Sequence, residues 1–396
     1  MLNRRHLLQA GAAGAGFAGL SSFRLNATCA ASRGQESPPC LVLVQLSGGN
    51  DGLNTVVPYR EDAYWEARPK IAQVEKDLHK LDKQVAFAPR LERLAKHFDR
   101  GNLCVQLGVG YPDPNRSHFK SMEIWHAADE RGRDTGTGWI GRLAEHMNGI
   151  GLHGLVHVGG SVPYSMYSPE FRALSFPTPA AYRYARDQGE LGGDLGSVSP
   201  SSPNLEFVRG VMQEARGSSL ELRSAVAGYE PTAEYPRGEF PGALRVAAAL
   251  IEARVGASVI GVELGGFDTH NGQATRHANR MRDLDEGLGA FLDDLKGRSA
   301  AENVVVMVHS EFGRRVQENA SGGTDHGTSG PVLLAGPRIK RGVHGKHPSL
   351  VDLDERGDML HTCDFRSIYA ELIEDLFGLE PEAILGDRYK KTVLIK

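Results

Sequence analysis

The chain has 396 residues, 40% apolar and 24% charged, with 45 Lys and Arg against 49 Asp and Glu for a net charge of −4. That is an ordinary globular composition, long enough for a large core. No basic block stands out, which argues against nucleic acid as a partner.

Residues 1–31 read as a separate object. The stretch MLNRRHLLQAGAAGAGFAGLSS carries the pair Arg4-Arg5, then a mild Ala- and Gly-rich apolar run, then small residues near Ala27–Ala31. This is the pattern of a twin-arginine-type signal peptide. It predicts export of an already folded chain to the periplasm or the extracellular space. The run is too short and too weakly apolar to be a good membrane span, so no stable span is expected in the mature chain. Gly14, Gly16 and Gly19 spell G-x-G-x-x-G, but no strand precedes them and no dinucleotide site is inferred. Residues 32–40 read as a linker and 41–396 as a single domain. The four cysteines, Cys29, Cys40, Cys104 and Cys363, form no C-x-x-C. That excludes a zinc ribbon or a redox pair, and Cys104 and Cys363 are expected to be buried thiols.

In chain order, nearly continuous apolar runs at 41–46, 103–108, 154–158, 258–264, 303–308 and 331–335 predict strands buried on both faces. Helices are predicted between them. One is seeded by Leu91, Leu94 and Phe98; others span 118–127, 204–226, 241–254, 275–296 and 365–377. In 275–296 the residues Met281, Leu284, Leu288, Phe291, Leu292 and Leu295 fall on one stripe. Residues 160–200, rich in Gly, Pro, Ser and Tyr, read as an irregular excursion that could roof a site. The alternation predicts an α/β fold: a mostly parallel sheet covered by helices.

Ligands of such sheets bind beyond the carboxyl ends of the strands, and chemistry-bearing residues collect there. Asn50-Asp51 follow the first strand, Arg116-Ser117-His118 the second, Asp268-Thr269-His270 the fourth and Ser310-Glu311 the fifth; Asp325-His326 precede the sixth. Carboxylates and imidazoles converging on one cleft suit a divalent cation. The glycines around them allow sharp turns and close backbone approach. Each residue also has a plainer reading. Asp51 and Ser117 could cap helices, Asp268 could close a turn, Glu311 could pair with Arg314 or Arg315, and Asp325 and His326 could bond each other. There is no G-x-S-x-G elbow, no H-E-x-x-H and no Walker A loop.

The segments SGGNDGLNTVVPY, YPDPNRSHFKSMEIW, GTGWIGRL, GGFDTHNGQ, HSEFGR and GGTDHGTSGPVLLAG resemble an exported bacterial family catalogued as domain of unknown function 1501. That family is grouped with the alkaline phosphatase and sulfatase superfamily. The resemblance runs from residue 41 to about 370. It implies an alkaline phosphatase-like fold, a doubly wound, mostly parallel sheet with helices on both faces, with a metal site. Asp51, Asp268, His270, Glu311 and His326 would be the ligands of a divalent metal such as zinc, manganese or calcium. Ser117 would be the nucleophile, and Arg116 or His118 would hold the anionic group. Phe312 departs from the pattern, standing where a histidine ligand is expected. The implied activity is hydrolysis of phosphate or sulfate esters, with a small-molecule or saccharide ester as substrate. The alternative is a non-catalytic metal- or saccharide-binding or assembly protein on the same scaffold.

Overall fold

The structure is a computed structural model; it describes residues 37–129, 136–182 and 203–396. The signal-type segment, most of the linker and the later part of the 160–200 excursion lie outside the described residues. The strands, in chain order, are β1 (Cys40–Ser47), β2 (Val56–Val57), β3 (His79–Lys80), β4 (Ala86–Phe87), β5 (Leu103–Gly110), β6 (Leu155–Val158), β7 (Leu174–Phe176), β8 (Val259–Gly265), β9 (Val304–His309), β10 (Gly330–Ala335), β11 (Gly342–His344) and β12 (Cys363–Asp364). Nine of them form the main sheet in the order β11-β5-β10-β9-β1-β8-β6-β7, with β12 also pairing β5. β2, β4 and β3 form a small separate sheet.

All six strands expected from the sequence are present. β1 is central and parallel to both β8 and β9. β10 runs antiparallel to both β5 and β9, so the sheet is mostly rather than wholly parallel. A reversed strand keeps the same apolar run, so its direction left no mark in the sequence. β7 is an edge strand inside the segment expected to be irregular. Its three residues are too few to show a period.

Alternate side chains of β1 enter two cores. Val42, Val44 and Leu46 pack on one face with Leu94, Phe98, Leu244, Met281 and Leu288. Leu41 and Leu43 pack on the other with Trp125, Trp139, Phe365 and Tyr369. Helices Glu92–Arg100, Glu239–Glu252 and Gln273–Leu295 cover the first face; His118–Ala127, Trp139–His146 and Phe365–Glu371 cover the second. The helix expected over 365–377 is narrower: its regular part ends at Glu371 and a wider turn, Leu372–Leu376, continues it. Cys104 is buried as expected, whereas Cys363 is only half-buried on the short strand β12. Among the described residues no helix is long and apolar enough to cross a membrane.

Candidate metal centre

At the carboxyl ends of the central strands four side chains meet. Asp268 and His270 follow β8, His118 opens the helix His118–Ala127, and His326 lies in the loop before β10. Ligand atoms of His118, Asp268 and His326 all lie within 4.8 Å of one another. His118 Nε2 is 3.6 Å from Asp268 Oδ1, and His326 Nε2 is 3.2 Å from it. His270 Nε2 lies 3.1 Å from the same oxygen and 2.9 Å from His326 Nε2. The group is half open to solvent, with the Asp268 side chain 48% exposed.

The outer nitrogen of each ring is already committed. His118 Nδ1 lies 2.8 Å from Glu311 Oε1, His270 Nδ1 3.1 Å from Asp325 Oδ1, and His326 Nδ1 2.8 Å from the Arg116 carbonyl. All three partners are acceptors, so each Nδ1 can carry a hydrogen and leave its Nε2 available to a cation; His326 Nε2 otherwise bonds Asp268 Oδ1 and His270 Nε2. His118 Nε2 is buried with no hydrogen-bond partner. Carboxylates and carbonyls behind ligating histidines set tautomer and ring orientation in this way in metal proteins. Around a zinc ion with bonds of about 2.0–2.1 Å, tetrahedral ligand atoms stand roughly 3.3 Å apart. The separations of Asp268 from the three rings lie near that spacing, so Asp268, His118 and His326 suit one cation, with His270 adjoining through Asp268 and His326.

Electrostatics follow the same layout. The hydrogen bond with Glu311 raises the His118 pKa above the usual imidazole value despite partial burial. Burial lowers that of His326, with the Arg116 carbonyl opposing. For Asp268, partial burial works upward, but hydrogen bonds from Arg314 and His326 prevail and hold its carboxyl at about 2. Phe312 supplies a wall, its ring 4.8 Å from that of His118 and 5.0 Å from that of His326.

The other expected site residues lie outside this ring of ligands. Asp51 is fully buried; Arg68 Nη1 donates to its Oδ2 at 2.6 Å, as does Gln273 Nε2. Its Oδ1 accepts the Asn54 backbone N–H at 3.3 Å, capping the short turn Gly52–Asn54. Glu311 stands behind His118, accepting also from the Gly48 N–H at 2.9 Å. The guanidinium of Arg116, expected to hold an anion, is committed to Asp358, at 2.6 Å from its Nε, and to Asp354 at 2.8 Å. Ser117 is exposed at the N-cap of its helix, and its side chain makes no capping bond.

Sequence reasoning missed Arg68 and Gln273. The one signal for Arg68 was its place at the end of a short helix, Asp62–Ala67, which had itself gone unseen.

Gly48 has φ +115°, and a Cβ there would stand 2.5 Å from the Asp268 backbone nitrogen. The glycine therefore serves a close approach of two strand-end loops. Gly48→Ala is expected to cost roughly 1–3 kcal/mol in backbone strain and to displace Asp268. Bound metal should fall while Gly151→Ala, whose added methyl meets nothing within 4 Å, leaves it unchanged. Thermal unfolding and elemental analysis of both variants check this.

Residues 219–383 match the model of the family described as "Protein of unknown function (DUF1501)". No curated protein matches the sequence significantly. Solved structures that resemble it include Ps i-CgsB in complex with k-i-k-neocarrahexaose, at 12% identity and TM-score 0.41, covering 91% of this chain and 76% of that one. The C-terminal periplasmic domain of EcEptC from Escherichia coli, in complex with Zn, matches at 13% identity and TM-score 0.41, covering 90% and 89%. The TAB5 alkaline phosphatase with Mg bound matches at 13% and TM-score 0.33, covering 78% and 95%.

Proposed function

We propose that His118, His270, His326 and Asp268 hold one divalent cation, and that the chain is an exported hydrolase of phosphate or sulfate esters with Ser117 as nucleophile. One observation carries this reading: three imidazoles, each held through its Nδ1, bring their Nε2 atoms within 3.6 Å of one oxygen of Asp268. Three nitrogens and one oxygen suit zinc better than calcium. A bound cation would act as a Lewis acid, neutralising charge on an ester oxygen and lowering the pKa of a nearby hydroxyl or water.

The chain's own residues do the rest. Glu311 and Asp325 keep His118 and His270 oriented. Ser117 presents an uncapped hydroxyl next in sequence to His118, at the positive end of a helix. Its attack on the phosphorus or sulfur would break the bond to the substrate's alcohol, which leaves with a proton, and the serine ester so formed would be cleaved by water to free phosphate or sulfate. The Arg4-Arg5 pair ahead of an apolar run supports export.

One observation favours the second reading, a non-catalytic metal- or saccharide-binding or assembly protein. Arg116 and Arg314, which both contact residues of the cluster, are spent on internal partners, and an anionic ester needs donors.

The test is metal content by mass spectrometry, beside turnover of 4-nitrophenyl phosphate and sulfate. His326→Ala should lose the metal. Ser117→Ala should keep the metal and lose turnover at least 100-fold. Bound metal with no turnover of either ester would select the second reading. Absence of metal, with no uptake on addition, would overturn both.

A further inference from the structure

The expected metal ligand Asp51 does not face open space; it faces a guanidinium. Arg68 Nη1 donates to Asp51 Oδ2 at 2.6 Å and to Asn54 Oδ1 at 2.9 Å. Its Nε donates to the Val316 carbonyl at 2.9 Å and its Nη2 to the Arg315 carbonyl at 2.7 Å. Both Arg68 and Asp51 side chains are 0% exposed. The guanidinium thus sits in a closed cage of four oxygens, one of them a carboxylate. That is the donor set of a hard cation, not of a hydrogen-bond chain between neutral groups.

We propose that Arg68 is the resident cation of this cage, so that the chain binds no metal at Asp51 and its metal count is one. A metal ion at Asp51 would stand against a fixed positive charge, and the carboxylate's other donors, the Gln273 amide and the Asn54 N–H, cannot ligate. Arginine suits the task because it stays protonated and its planar fork meets several oxygens at once. The count of one rests on the metal reading above; the assignment of the cage does not.

The cage predicts its own rescue. Arg68→Ala, in the full chain purified without chelator, would leave four oxygens around a vacated cationic position. Equilibrated with manganese or calcium, it is expected to take up one equivalent more than the parent and to melt at a higher temperature with the metal than without. Adding Asp51→Asn should abolish both gains. A folded Arg68→Ala chain that binds only the parent's count, with no thermal response, would overturn the proposal.

Removal of the arginine alone leaves a buried carboxylate unpaired, which can prevent folding. The double variant Asp51→Asn/Arg68→Met removes both charges together and covers that case. An unchanged metal count in it supports the assignment; a drop overturns it, because Asp51 would then be a ligand. If the parent binds no metal, the four-residue cluster fails, while the extra uptake by Arg68→Ala still reads the cage.

Discussion

Arg314→Met is expected to lower the melting temperature by roughly 5 °C and to empty the metal cluster. The Arg314 side chain is 0% exposed and ties together loops from three strand ends. It donates to the carbonyls of Gly49 at 2.7 Å, Thr324 at 2.9 Å and Phe267 at 3.2 Å, to that of Gly48, and to Asp268 Oδ1 at 2.7 Å. Methionine fills the volume but leaves these acceptors unpaired. Breaking such a buried charge arrangement costs about 3–5 kcal/mol, and for a chain of this size each kcal/mol is worth roughly 1–2 °C. Asp268 would lose the partner that fixes its carboxylate, so the metal goes with the stability. Arg314→Lys restores the charge but not the fork and should fall between. Circular dichroism melts and metal content decide; a methionine variant that melts with the parent and keeps its metal would remove Arg314 from this role.

The second large effect is on acid stability. His309 at the end of β9 is 2% exposed, stacks on Trp125 at 5.0 Å, and has no partner for either ring nitrogen. Burial, helped by His126, pushes its pKa down to about 3; burial pushes that of His126 down to about 4. The unfolded chain takes up these protons near pH 6.5. Protonation therefore favours the unfolded state. The stability these rings permit is full above about pH 6.5 and is lost as pH falls toward 3, by roughly 3–5 kcal/mol for each imidazole. Asp268, held at about 2, titrates lower, so the histidines are the first to act. Acid unfolding followed by tryptophan fluorescence should begin below about pH 6. His309→Phe, which keeps the stack and drops the titration, should move the midpoint to lower pH. An unmoved midpoint would exclude His309 as a cause.

Much of the architecture was legible because it rests on hydrophobic periodicity. LVLVQL could only be a strand buried on both faces, and the stripe from Met281 to Leu295 could only be an amphipathic helix. The strand-end placement of Asp268, His270 and His326 was legible for the same reason, since the strands fixed where the loops began. His118 was read as an anion holder, yet its ring joins the other two histidines, because nothing in the sequence tells which way the first side chain of a helix turns. Asp51 shows the limit most clearly. Its surroundings are set by Arg68, 17 residues on, across a turn, a short strand and a six-residue helix with no period of its own. Ion pairs between non-adjacent loops leave no spacing to read.

The order of the strands has a consequence for synthesis. β1 emerges from the ribosome early, but both of its neighbours, β8 and β9, lie more than 200 residues downstream. At translation rates of about 5–20 residues per second, this apolar strand waits roughly 10–40 s for a partner. During that interval an unpaired, uncharged edge is open to pairing with other chains. Truncations that end before β9 should therefore aggregate rather than accumulate as a soluble half-sheet.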